Sequence, residues 1–129
     1  AIVGTDNRAG TTSETDDNNY GLGRVHGSTI GFYLLWLGAL ESIGDGESVD
    51  RIVSSDGGTT WSASDTLYLT HSPSKRISWA APGTKTPKAL TTIQQKFMLD
   101  TQIRPRDQLP AANDAIPLDG FATISLVYL

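Results

Sequence analysis

Ile30-Gly31-Phe32-Tyr33-Leu34-Leu35-Trp36-Leu37-Gly38-Ala39-Leu40 is the longest apolar stretch of the chain, and its reading decides the fold. As an extended strand it sends Ile30, Phe32, Leu34 and Trp36 to one face and Tyr33, Leu35 and Leu37 to the other. A helix is the competing reading, but Gly31 and Gly38 each weaken it by about 1 kcal/mol relative to Ala. A membrane-spanning helix needs about 20 apolar residues, so the stretch is a buried segment and no membrane partner is expected. Both faces are apolar, which does not suit a half-solvated strand. Either this is a central strand covered on both sides, or one face is buried where subunits meet. Phe32, Tyr33, Leu34, Leu35 and Trp36 are the candidate interface residues.

Toward the N-terminus the texture changes. Ala1-Ile2-Val3-Gly4 leads straight into polar sequence with no signal pattern. We read Ala1 either as the residue left after loss of an initiator Met or as the end left by a signal peptidase. Residues 5–23 include Thr11-Thr12-Ser13-Glu14-Thr15-Asp16-Asp17-Asn18-Asn19, with no large apolar residue and no period. Such a segment buries too little surface to offset its ordering entropy. Residues 1–23 are therefore expected to form an arm or long loop, free in the monomer or laid on a neighbouring subunit.

Toward the C-terminus, turn signals separate short strands. Asp45-Gly46 and Asp56-Gly57-Gly58 bound a strand around Val49-Asp50-Arg51-Ile52-Val53. Leu67 and Leu69 alternate with Tyr68, and Ile77 and Trp79 alternate with polar neighbours. Thr86-Pro87 makes a fair helix start, while Phe97, Leu99 and Ile103 alternate as in a strand. Pro105, Pro110 and Pro117 mark a meandering loop. Phe121-Ala122-Thr123-Ile124-Ser125-Leu126-Val127-Tyr128-Leu129 reads as a last strand, apolar enough that it is expected to be paired inside a sheet and not left at an open edge.

The sequence thus predicts an all-β fold, an antiparallel β-sandwich or jelly-roll-like domain. A single β domain spans residues 24–129, preceded by the extended N-terminal arm over 1–23, with at most one short helix near 87–95. The 129 residues suffice for one core. Charged residues are 19% of the chain, below the usual level of about 25%. With no Cys, disulfides, thiolate metal sites and a cysteine nucleophile are excluded. The net charge is −4 and the ten basic residues are scattered, which argues against a nucleic-acid partner.

Ser54-Ser55-Asp56-Gly57-Gly58-Thr59-Thr60-Trp61 resembles the Asp-box, Ser-x-Asp-x-Gly-x-Thr-Trp, of sialidases and other β-propellers. That motif also occurs singly in unrelated β proteins. Ser54, Asp56, Gly58, Thr60 and Trp61 match its five defining positions. The resemblance implies a structural hairpin, since in sialidases these boxes lie away from the catalytic site. A whole propeller of blades of about 40–50 residues does not fit this length. A glycan-contacting loop is the other reading of the motif.

Other candidates are weaker. His26 and His71 have no short metal spacing to carboxylates, and no Gly-x-Ser-x-Gly elbow is present. No catalytic residue, metal site or cofactor is assigned. Glu14, Asp16 and Asp17, and Asp45, Glu47 and Asp50, carry oxygen ligands of the kind Ca²⁺ accepts, but neither set matches the twelve-residue calcium loop; both read as solvated loops. Trp36, Trp61, Trp79, Tyr20, Tyr33, Tyr68 and Tyr128 fit a sugar platform, and fit core or interface positions better.

The overall texture, cysteine-free and rich in Thr, Ser and Gly, is similar in style to small decoration, cement or tail proteins of tailed bacteriophages. That resemblance implies a non-enzymatic virion component, a homo-oligomer such as a trimer that also binds other virion subunits such as a capsid protein. The alternatives are a secreted β-sandwich carbohydrate-binding module and, third, a small hydrolase.

Overall fold

The computed structural model describes residues 1–38, 42–63, 68–111 and 115–129. Ala39, Leu40, Thr66 and Leu67, at the ends of two expected strands, lie outside the described residues. The strands are β1 (Ile2–Asp6), β2 (Tyr20–Gly21), β3 (Arg24–Val25), β4 (Ser28–Thr29), β5 (Gly31–Leu37) and β6 (Ser42–Gly44). They continue as β7 (Glu47–Ser54), β8 (Ser62–Ala63), β9 (Arg76–Ala80), β10 (Ile93–Gln94), β11 (Phe97–Ile103) and β12 (Ala122–Leu126). A 3₁₀ turn at Arg106–Gln108 is the only helical element among the described residues.

The larger sheet runs β10-β6-β7-β9-β1-β12, with β8 also against β7; the smaller runs β11-β5-β2, and β3-β4 is a separate hairpin. Every strand pair is antiparallel. One sheet curls into a half-barrel, and the all-β architecture is that of a β-sandwich. Two-residue turns set the register of two hairpins. Asp45 and Gly46 take φ of 50° and 84°, and His26 and Gly27 take 46° and 82°. Such left-handed pairs match the twist of the strands they join.

Strand β5 is central. Seven residues of β11 pair along one edge. The other edge is taken by β2, by a parallel bridge from Thr12 to Gly31, by a bridge from Tyr68 to Trp36, and by the Leu69 N–H on the Leu35 carbonyl. Its apolar residues meet two clusters. Leu37 packs with Ile2, Val49, Leu69, Ile77 and Trp79 between the two sheets. Tyr33 packs with Tyr20, Leu22 and Ile30, and Leu35 touches both clusters. The face of Tyr33, Leu35 and Leu37 is covered from within the chain, while Phe32 and Trp36 on the other face stay half-buried.

The stretch expected to be an arm is instead tied in at both ends. Residues Ile2–Asp6 form β1, an inner strand of the larger sheet between β9 and β12, and Tyr20 is fully buried. The polar run between them holds by hydrogen bonds, not by burial. Asp6 accepts the N–H groups of Arg8 (2.8 Å) and Gly21 (3.0 Å). The Thr11 hydroxyl donates to the Arg8 carbonyl and accepts the Gly23 N–H. Arg8 also pairs with Asp119 at 2.8 Å.

No helix forms near 87–95. The Lys88 N–H goes to the Trp79 carbonyl at 2.8 Å, and Pro87 bridges to Ala80. The Asp45 carboxylate accepts the N–H groups of Thr91 (3.0 Å) and Thr92 (2.8 Å). With those donors spent across the chain, no helical ladder can close. Leu90 and Ile93 serve the core from an irregular segment.

Candidate functional site

Three places could carry function: the loop over residues 54–61, the acidic and histidine positions, and the apolar surface. The loop joins β7 to β8 and turns at Gly57 and Gly58, with φ of 73° and 97°. Both values favour glycine. Ser54 is 1% exposed. Its hydroxyl donates to Asp56 Oδ1 at 2.7 Å and accepts the Gly58 N–H at 2.8 Å. Asp56 also accepts the N–H groups of Thr59 (3.0 Å) and Thr60 (2.9 Å) and the Thr60 hydroxyl (2.6 Å). The Trp61 indole N–H donates to the Gly58 carbonyl at 3.1 Å. Ser54, Asp56, Gly58, Thr60 and Trp61 are thus brought together as parts of one turn.

The Thr60 hydroxyl, then the Thr60 N–H and the Ser54 hydroxyl, hold the Asp56 carboxyl well below the usual carboxylate range. A depressed folded pKa adds stability above the unfolded value of about 3.9, and that share is lost as pH falls. Asp56→Asn keeps the shape but weakens this set of accepted bonds. It is expected to lower Tm by a few degrees at pH 7, with the gap to wild type closing below about pH 4. Thermal denaturation of both proteins from about pH 2 to about pH 7, spanning the ordinary carboxylate range, checks this. Since the carboxylate oxygens are occupied by loop donors, Asp56 has no free lone pair aimed at a substrate.

The acidic sets do not converge. Asp45 is committed to Thr91 and Thr92, which lower its pKa. Glu47 pairs with Lys88 at 3.2 Å, Asp50 accepts the Gly83 N–H at 2.7 Å, and Asp16 accepts the Asn18 N–H at 2.9 Å. Among the described residues, no group of three or more His, Asp or Glu side chains is placed to hold a metal ion. His26 is exposed at the tip of the β3-β4 turn. The His71 ring packs edge-on to Tyr20, 5.3 Å between centroids.

The candidate interface residues fare unevenly. Tyr33 and Leu34 are buried within the chain, so they are not available to a neighbour; Phe32, Leu35 and Trp36 are half-buried. The Trp36 ring lies 4.3 Å from Tyr68. Trp79 is buried with its indole N–H on Gln95 at 3.2 Å. The sequence reading of β5 missed where apolar surface is exposed, because periodicity shows that a residue needs cover but not what covers it. Leu99 and Ile103 of β11 are more than half exposed, as are Phe121, Leu126, Tyr128 and Leu129 at the C-terminal end. Residues 126–129 also wall a groove of about 510 Å³ whose other lining includes Trp79, Pro87, Leu90 and Ile93.

No family model matches the chain, and no curated protein or solved structure matches it.

Proposed function

We propose that this chain is a non-enzymatic structural protein that works through subunit interfaces, as a bacteriophage virion component of the capsid-decoration, cement or tail type. The observation carrying this reading is the exposed apolar surface at the C-terminal end, where Leu126 is 73% and Tyr128 97% exposed. Large apolar side chains left exposed close together along the chain are a mark of an interaction site. The composition, free of Cys and rich in Thr, Ser and Gly, supports the virion context and a partner such as a capsid protein.

The carbohydrate-module alternative requires free rings, and its support weakens because Trp79 is buried, Trp36 packs at a tilt against Tyr68, and Trp61 is engaged in its own loop. Sugar titrations are expected to leave tryptophan fluorescence unchanged. The assembly reading is tested by solution mass: light scattering over a concentration series is expected to give more than a monomer. A monomer at every concentration would count against it.

A further inference from the structure

Strand β12 closes one edge of the larger sheet, and among the described strands it is bonded to β1 alone. The ladder fixes which of its backbone groups face outward. Ala1 and Val127 exchange both bonds, at 2.9 and 2.8 Å, and Asn7 donates to the Phe121 carbonyl at 2.9 Å. In an antiparallel pair such positions alternate, so residues 121, 123, 125 and 127 direct their N–H and C=O groups to β1. Ala122, Ile124, Leu126 and Tyr128 direct theirs away from it.

The side chains of Ala122, Ile124 and Leu126 share the sheet face of Ile2, because Leu126 stands opposite Ile2, Ile124 opposite Gly4 and Ala122 opposite Asp6, and Tyr128 continues the alternation one step beyond the strand. Ile2 is 3% exposed, yet Leu126 is 73% and Tyr128 97% exposed. The inner apolar layer therefore runs on past the cover that the chain itself supplies. Residues 121–129 contain no charge and no Pro, the devices that keep open edges apart. The other long edge differs: β11 carries Asp100 at mid-strand and is flanked by Lys96 and Arg104.

We propose that β12 pairs edge to edge with β12 of a second copy, antiparallel about a two-fold axis beside Ser125. Ile124 of one copy then stands opposite Leu126 of the other, and Ala122 opposite Tyr128, so all four outward-facing positions are bonded. Two copies of this strand meet without like charges in register, which two copies of β11 would not. Leu126 and Tyr128 are 73% and 97% exposed, and an aromatic side chain carries about 150–250 Å², so these two residues from both copies give the contact most of its apolar area. The contact is isologous and closes at two copies. This proposal names the surface for the assembly reading above and rests on it.

The test is sedimentation velocity on the full chain over a concentration series, with wild type, Ile124→Pro and Leu126→Lys. Pro at 124 deletes an N–H that faces away from β1 and spares the fold's own ladder. Lys at 126 places a charge on a side chain already in solvent. Wild type is expected to shift from monomer to dimer, and both variants to stay monomeric with wild-type near-ultraviolet dichroism. If Ile124→Pro unfolds, Leu126→Lys decides alone. A wild-type oligomer that survives the substitutions overturns this surface and leaves self-association standing. A wild-type monomer throughout, whether the edge is idle or serves a different protein, overturns both.

Discussion

Tyr20→Ala is expected to destabilise the protein by about 3–5 kcal/mol, the range for deleting a buried aromatic side chain. The residue is fully buried. Its ring stacks on Tyr33 with 5.3 Å between centroids and meets His71 edge-on at the same distance. Its hydroxyl donates to the Leu69 carbonyl at 3.1 Å. The substitution therefore empties the centre of one core cluster and orphans a carbonyl in the same step. Tyr20→Phe separates the two effects, leaving the ring and costing about 1–3 kcal/mol for the unpaired acceptor. Chemical denaturation at pH 7 measures both: midpoints fall in the order wild type, Phe, Ala, with the slope unchanged for Phe.

The same cluster sets the alkaline limit. Burial pushes the Tyr20 phenol up, and burial followed by the Asp6 charge pushes Tyr33 up to about 12. A raised folded pKa gives stability that is whole below the unfolded value of about 10 and lost as pH rises beyond it. Wild type should lose stability on going from pH 10 toward 12. Tyr20→Phe should lose less over that interval.

What was legible in the sequence was what neighbours along the chain decide. The alternating run of β5, the Asp-Gly turns and the strand at Arg76–Ala80 are each set by residues a few places apart, so period and turn chemistry sufficed. The loop over residues 54–61 was legible for the same reason, since its donors and acceptor lie within four residues of one another. Tyr20 was not. It is a lone aromatic after a polar run, and nothing local says that Asp6 will bond Gly21 and draw the segment inward. Arg8 and Asp119, which help hold that segment, are 111 residues apart. The helix expected near 87–95 failed likewise, because the carboxylate that takes its donors, Asp45, lies 46 residues away from Thr91. The C-terminal strand was expected inside a sheet, yet β12 stands at an edge with β1 on one side only, because no local signal says which strands reach it.

Gly31→Ala is expected to reverse the ordinary sign of its substitution type. Replacing Gly by Ala usually stabilises by about 0.4–1 kcal/mol, because the unfolded chain loses freedom. Gly31 stands opposite Ile103 at the start of the β5-β11 ladder, and a Cβ there would run into the Gln102 carbonyl oxygen. The obstacle is backbone, not the end of a flexible side chain, so relief requires β11 to move off β5. Gly31 also carries the Thr12 bridge and accepts the Ser13 N–H, so β5 is held from its other edge and has little room to retreat. Overpacking of this kind costs about 1–3 kcal/mol, enough to outweigh the entropic gain. Hydrogen exchange locates the damage: the amides pairing β11 with β5 should lose protection first, while those of β7 and β9 keep theirs. Gly46→Ala is the control, since a Cβ there meets nothing within 4 Å and the penalty reduces to its left-handed φ of 84°. A Gly31→Ala protein as stable as wild type would mean that β11 is not fixed against β5 as tightly as its seven-residue register implies.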